Sequence, residues 1–327
     1  MAERSAIEWC DGTVNFWWGC TKVGPGCDNC YAEDYNNFRG NKLWGPNTER
    51  RPIKGAPSLL SKLQRSAADF HAQYGRPRRV FMQSMSDTFD NEADDELRAD
   101  LFAQAAAADA VRIIFLTKRI SNVLKMIPAA WRDRGWPKHI GLMVTVVTQR
   151  EAERDIPRLL ELKKQLRIPW VGVSIEPMLE PMKLRQLRVG KFMLDAITGQ
   201  WSYAHSMTLA ALPDRLPGLD WVIVGGESGK NARPIHPNWV RDIRRECSVL
   251  AAFLFKQWGE WAPDSDLHPA VRANFIKRRV ERQELHRDPS AFATVQLEIM
   301  TMYRVGKHAA GRLLDGAEYL AFPKELQ

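Results

Sequence analysis

Long apolar runs are missing from this chain of 327 residues, and no stretch of it can cross a bilayer as a helix. The start, MAERSAIEWCDG, lacks the apolar centre of a secretory signal. Together these absences lead to the expectation of a cytoplasmic protein with no membrane partner. Cysteine is scarce at five residues, which argues against a secreted disulfide scaffold. The seven histidines show no ligand spacing, and His236 in RPIHPNW reads most simply as structural. A glycine-rich dinucleotide fingerprint, an internal repeat and a low-complexity linker are also lacking. So is an acidic balance: 47 Lys and Arg against 39 Asp and Glu leave a net charge of +8. That charge suits an anionic partner such as nucleic acid, and equally a generally basic enzyme.

Hydrophobic residues make up 45% of the chain, enough for a substantial core. Short apolar runs recur at residues 79–87, 112–119, 141–149, 170–177, 221–229 and 252–260, separated by helix-like segments such as REAERDIPRLLELKKQL. Uniformly apolar strands alternating with amphipathic segments predict neighbouring parallel strands buried on both faces. Residues 15–19 offer a further strand, giving six or seven βα units. The organisation expected is one main α/β domain with a parallel sheet over residues 1–263, and a C-terminal extension over 264–327 packed on it. RRVERQELHRD in that extension reads as a solvated helix. Residues 43–56 and 190–217 interrupt the alternation, and the second is long enough to carry a lid or substrate element.

Polar residues gather where these strands end: Ser84, Ser86 and Asp87; Thr117, Lys118 and Arg119; Thr145 and Gln149; Ser174 and Glu176; Glu227; Lys256 and Gln257. In barrels that edge carries the active site. Glu176, Glu227 and Lys256 sit in apolar contexts, where a charge needs a partner or a use. They are the candidate catalytic residues, with Lys256, Lys118 or Arg119 available to pair with the two carboxylates. The basic clusters Arg76, Arg78 and Arg79; Arg241, Arg244 and Arg245; and Lys277, Arg278, Arg279 and Arg282 are candidate phosphate contacts or plain solvated faces. Twelve tryptophans, four of them (Trp9, Trp17, Trp18 and Trp44) flanking the first cysteines, can stack on bases or line a core.

Cys20, Cys27 and Cys30 stand close together in GCTKVGPGCDNCY, spaced C-x6-C-x2-C. Three thiols without a matching fourth suggest a metal centre with one coordination position open, which usually means chemistry. A closed zinc site made of Cys10, Cys20, Cys27 and Cys30 is the competing reading, and it would make the chain a zinc-stabilised nucleic-acid-binding protein without catalysis. Cys247 reads as a buried small hydrophobe.

Over nearly its whole length the chain resembles a family of phage-type proteins described by a three-cysteine motif. The resemblance is carried by IEWCDGTVNFWWGCTKVGPGCDNCYAE, FMQSMSDTF, FLTKR, SIEPM, IVGGESGKNARP, FKQWGEW and GKHAAGRLLDG. That family looks like a divergent branch of the radical SAM enzymes. The resemblance implies a partial (β/α) barrel of six or seven parallel strands over residues 1–263, a [4Fe–4S] cluster in loop 19–31 bound by Cys20, Cys27 and Cys30, S-adenosylmethionine at the open iron, and an electron donor that drives its reductive cleavage. Ser84, Ser86, Asp87, Lys118, Arg119, Thr145 and Gln149 are the expected cofactor-binding residues. The six-residue first gap departs from the usual C-x3-C-x2-C. The GGE of Gly225, Gly226 and Glu227 comes at a late strand rather than an early one, so it is read as a pocket element. The substrate is expected to be a nucleic acid or nucleobase on charge alone, with a small molecule or peptide as the alternative.

Overall fold

Apolar segments that alternate with helices must find a sheet that buries both of their faces. The structure, a computed structural model, describes residues 1–204, 211–266, 272–273, 281–286 and 299–327. Strand β1 (Gly12–Val14) opens the main sheet; β2 (Trp17–Trp18), helix α1 (Tyr31–Phe38) and β3 (Arg51–Pro52) follow, with β2 and β3 forming a separate antiparallel pair. Next come α2 (Ala56–Arg65), α3 (Ala67–Tyr74), β4 (Arg79–Met82), α4 (Asp95–Ala107), β5 (Arg112–Thr117), α5 (Val123–Met126), α6 (Ala129–Arg134), β6 (Ile140–Thr145), α7 (Gln149–Leu166) and β7 (Val171–Ile175). Then β8 (Leu187–Val189), β9 (Phe192–Asp195) and β10 (Gln200–Tyr203) build a small antiparallel sheet. The chain returns through β11 (Trp221–Gly225), α8 (Pro237–Cys247) and β12 (Ala252–Gln257), and β13 (Trp261–Pro263), β14 (Arg282–His286) and β15 (Ile299–Arg304) make a third sheet.

The main sheet runs β1-β4-β5-β6-β7-β11-β12, parallel throughout. Its end strands are not joined among the described residues, so the architecture is a seven-stranded half-barrel. All six apolar runs marked in the sequence supply its strands. Side chains alternate across each strand. Val80, Phe115, Val144, Val173 and Val224 join the large outer core that includes the helices, whereas Phe81, Ile114, Met143, Ile223 and Leu254 share an inner cluster with Trp9, Trp170, Trp221 and Leu326. Tryptophans and the C-terminal residues thus plug the amino-terminal side of the half-barrel, leaving polar side chains for its carboxyl edge.

The end of the chain also guards the exposed edge of β12. Phe255 N donates to Tyr319 O (2.9 Å), Ala321 N to Phe253 O (3.2 Å), and Trp221 Nε1 to Ala321 O (3.0 Å). An uncovered edge strand would be a template for aggregation.

Several local expectations change. The first strand of the barrel is Gly12–Val14, not residues 15–19; Trp17 and Trp18 instead pair with Pro52 and Arg51. The interruption of the alternation at residues 190–217 corresponds in part to the small antiparallel sheet of residues 187–203, which lies in the chain between β7 and β11. Arg282–His286 is an exposed strand rather than a helix, because its pairing with β15 outweighs its helix-like composition. Lys277, Arg278 and Arg279 lie outside the described residues. The cluster at Arg76, Arg78 and Arg79 is divided: Arg76 binds Asp11 (2.7 Å), Arg78 stacks on Phe70, and Arg79 is buried beneath Phe322. Arg244 lies over Tyr319 and Arg241 pairs with Asp315.

Gly141 shows how tightly the inner cluster is packed. A Cβ there would come within 2.0 Å of the Trp170 indole. Gly141→Ala is expected to lower stability by about 1–3 kcal/mol or more through overpacking. Denaturant unfolding with an unchanged midpoint would show that Trp170 does not cover this position.

Candidate active site at the carboxyl edge

A cavity of about 460 Å³ opens at the carboxyl edge of the half-barrel. Its wall includes Cys20, Cys27 and Cys30 from the loop after β1–β2, Ser84, Ser86 and Asp87 from the loop after β4, Lys118 and Arg119 after β5, Thr145 at the end of β6, Glu176 after β7, Glu227 after β11, and Lys256 in β12. Every candidate residue reaches this one space except Gln149. The Gln149 side chain turns outward at the start of α7, donating to Glu153 (3.1 Å) and accepting from Lys183 N (2.8 Å). It holds the 180–183 loop to the helix because the first turn of α7 has already left the strand edge.

The cysteine loop is anchored at both ends. At its first end, Arg119 donates to Thr21 O (2.6 Å) and stands 3.6 Å from Cys20 Sγ. Arg119 in turn pairs with Asp87 (3.1 Å) and Asp90 (3.6 Å), and Asp90 pairs with Arg50 (2.6 Å), whose guanidinium also donates to Thr21 Oγ1 (2.7 Å). The Arg50 and Asp90 side chains are each only 1% exposed. Asp87 accepts further bonds from Thr117 Oγ1 (2.8 Å) and Lys118 N (3.0 Å). Burial alone would lower the Arg119 pKa; Asp87 foremost, then Cys20 and Asp90, turns the balance upward. Asp87 and Arg119, expected to bind a cofactor, thus line the cavity and also hold the loop.

At the second end, Arg233 donates to Glu227 through three bonds, from its backbone N (2.8 Å), Nε (2.9 Å) and Nη2 (2.7 Å). The same guanidinium reaches Pro25 O (3.0 Å) and Asp28 Oδ2 (3.1 Å) in the cysteine loop. The hydrogen bond to Glu227 holds the Arg233 pKa above its ordinary value. Sequence reasoning offered Lys256, Lys118 or Arg119 as partners for Glu227 and missed Arg233. The signal lay in the same quoted segment, GGESGKNARP, whose arginine follows the carboxylate by six residues. Two glycines permit this closure: a Cβ at Gly26 would meet Val147 Cγ1 at 2.7 Å, and one at Gly226 would meet Trp258 O at 1.9 Å.

Glu176 does have the expected partner. Lys256 Nζ lies 3.0 Å from Glu176 Oε1, and Ser174 Oγ donates to Oε2 (3.1 Å). Burial pulls the Lys256 pKa down, but Glu176, and more weakly Glu8, carries it above the ordinary lysine value. Ser84 Oγ shares a bond with Asn15 (3.0 Å), and Ser86 Oγ donates to Trp17 O (3.1 Å). These bonds tie the loop after β4 to the start of the cysteine loop. Two buried amides also line the cavity, Gln83 and Gln257. Gln83 Oε1 accepts from Phe16 N (2.6 Å), and its NH2 group has no hydrogen-bond partner among the described residues.

All five cysteines are free thiols. Burial pushes Cys20 up to about 12 and raises Cys30, opposed at Cys30 by the Lys118 charge. Among the described residues no group of three or more His, Cys, Asp or Glu side chains stands ready to hold a metal ion. As a donor set the three thiols suit an iron–sulfur cluster: they are soft ligands on one loop, they line one cavity, and Arg119 and Lys118 can offset thiolate charge. Cys10 is not part of that wall. It lies in the inner apolar cluster with its Sγ 3.4 Å from Ser5 Oγ, and burial pushes its pKa up to about 12. Cys247 is packed in the outer core, and His236 caps α8 by accepting from Asn238 N. No helix among the described residues is long and apolar enough to cross a membrane.

A protein-family model described as a protein of unknown function (DUF5131) matches residues 4–323. No curated protein and no solved structure matches the chain.

The two anchors of the loop are unequal, and replacement should separate them. Arg119→Met leaves Asp87 and Asp90 buried with less compensation and is expected to cost about 3–5 kcal/mol of global stability. Arg233→Ala removes a guanidinium that is one-third exposed, so water can replace part of what the buried Glu227 carboxylate loses, and the variant is expected to cost less, about 1–3 kcal/mol, while amide exchange speeds up in residues 25–30. Equal losses of stability in the two variants would contradict this division.

Proposed function

The chain belongs to the DUF5131 family, and we propose that it is an iron–sulfur enzyme of radical SAM type. The observation that carries the reading is the placement of Cys20, Cys27 and Cys30. They lie in the loop following the first strand of a parallel half-barrel, and they share one cavity with the polar ends of the other strands. When bound, a [4Fe–4S] cluster with one iron free of protein ligands supplies an electron for reductive cleavage of S-adenosylmethionine.

The rest is the work of this chain's own side chains. Cys20, Cys27 and Cys30 would hold the cluster, with Arg119 and Lys118 balancing the thiolate charge. Arg119 and Arg233 fix the loop from its two ends and limit the positions the sulfurs can take. The Glu176–Lys256 pair and the buried Gln83 and Gln257 amides offer donors and acceptors that orient whatever enters. Phe81, Leu116 and Trp9 form apolar wall that excludes water. The substrate we favour is a nucleic acid or nucleobase, consistent with the net charge of +8, and an external electron carrier would reduce the cluster. Against the closed zinc alternative stands the placement of Cys10 in the inner apolar cluster, outside the cavity wall that carries the other three cysteines.

Anaerobic reconstitution tests this directly. The native protein should bind about four iron and four sulfide and form 5′-deoxyadenosine with reductant and S-adenosylmethionine. Cys20→Ala, Cys27→Ala and Cys30→Ala should each abolish the cluster; Cys10→Ala and Cys247→Ala should keep it. Glu176→Gln should retain the cluster and lose turnover on the order of 100-fold through misplacement of the bound molecules. A fully loaded cluster that neither binds nor cleaves S-adenosylmethionine would refute the mechanism.

A further inference from the structure

We propose that α1 and the β2–β3 pair beside it form a track for single-stranded nucleic acid that ends at the cavity. The inference rests on the proposed function only in taking the cavity to be the reaction site. Tyr31, Tyr35 and Phe38 stand at i, i+4 and i+7 on one face of α1 and are 56%, 43% and 84% exposed, while Ala32 and Asn36 are buried. Three exposed aromatics on an eight-residue helix are a large apolar surface to leave in water. Along the helix axis they are separated by about 6 and about 4.5 Å, a spacing that successive unstacked bases can follow. The half-buried Trp18 ring extends the surface, its centroid 5.7 Å from that of Tyr35.

The surrounding charge favours a polyanion. Arg39 lies over the Tyr35 ring at 5.9 Å, and Arg51 pairs opposite Trp18 across the two short strands. Exposed cations at Arg39, Lys42, Arg51 and Lys54 face exposed anions only at Asp34 and Glu49 within residues 34–54; Glu33 is engaged by Lys22 at 2.9 Å. Alternating aromatic rings and cations are what a sequence-tolerant single-strand site requires, since every base presents a π-face and every linkage a phosphate. A duplex keeps its base faces covered and would not use the stripe.

Tyr31 connects track and cavity. Its ring belongs to the exposed stripe and to the cavity wall, and its hydroxyl donates to Ser84 O. A strand laid on Tyr35 and Phe38 would present its next base at the cavity mouth. The cavity, about 460 Å³, is of a size for small molecules and not for a polymer, so the strand itself would stay on the track. Enzymes that modify bases take one base out of the strand in this way.

The test is fluorescence anisotropy with a labelled 12-nucleotide single strand, DNA and RNA, and with the same strand in duplex. The cluster-free protein serves, so the outcome is separate from cluster chemistry. Single strands should bind more tightly than duplex, and affinity should fall steeply with salt. The double replacement Tyr35→Ala, Phe38→Ala should weaken binding at least tenfold at unchanged thermal unfolding, and Arg39→Ala with Lys42→Ala should flatten the salt dependence. Unchanged oligonucleotide affinity in the aromatic variant, or a preference for duplex, would overturn the track. In the cluster-loaded aromatic variant, slower reduction by a flavodoxin-type protein with oligonucleotide binding intact would also overturn it and give the face to the electron carrier. A native protein that cleaves S-adenosylmethionine yet ignores oligonucleotides would overturn the track alone; one that binds them yet holds no cluster would overturn the enzyme reading alone.

Discussion

Arg119 and Arg50 carry two positive charges beneath the cysteine loop, and Asp87 and Asp90 answer them. An ion taken out of water is tolerated only when opposite charge and hydrogen bonds replace its hydration. Here the replacement is nearly complete, and it fixes several chain segments at once. Asp87 and Asp90 come from the loop after β4, Arg119 from the end of β5, Arg50 from the approach to β3, and the bonds they donate end on Thr21 beside Cys20. Each strand end can sit where it does only because the others supply its counter-charges. The position of the first cysteine is thereby set by the sheet itself and not by its own flexible loop.

The strands were legible because burial on both faces leaves a plain mark: RIIFLT, GLMVT and WVIVG contain no alternation to misread. Their order and parallel direction followed from the intervening helices, apart from β7 to β11, where a small antiparallel sheet lies between them in the chain. Short elements were less legible. Trp17 and Trp18 look like the core of a strand, yet they pair with Arg51 and Pro52, and only the distant partner decides that. Residues 282–286 carry a helix-like composition but are held extended by β15. In both cases a non-local contact overrides a local preference.

The site was legible as a gathering of residues and illegible as a division of labour. The rule that barrel chemistry collects at strand ends brought nearly every candidate to the cavity wall. It could not distinguish Glu176, which meets Lys256 and faces the cavity, from Glu227, whose oxygens are taken by Arg233. Nor could it show that Asp87, on the cavity wall, also accepts from Thr117, Lys118 and Arg119. Both features depend on which donors arrive from other strands, and no single segment encodes that. Gln149 shows the opposite error: one turn beyond the strand edge is enough to rotate a side chain out of the cavity.

The two anchors also explain how a loop with a long first gap can present three thiols to one space. Six residues between Cys20 and Cys27 would be loose if only their ends were held. Gly26 lets the loop lie directly on Val147, Arg233 grips Pro25 and Asp28 from the opposite side, and Arg119 holds Thr21. The loop is held at three points by groups at or beyond the ends of β5, β6 and β11, while Lys22, Val23 and Pro25 between those points stay exposed. The difference in exposure between the anchors then sets where the loop can yield. The Cys20 end is locked by charges that solvent barely reaches, while the Cys27–Cys30 end hangs on a guanidinium one-third exposed. Adjustment to a bound group therefore falls on the second end, next to Tyr31 and the helix that begins there.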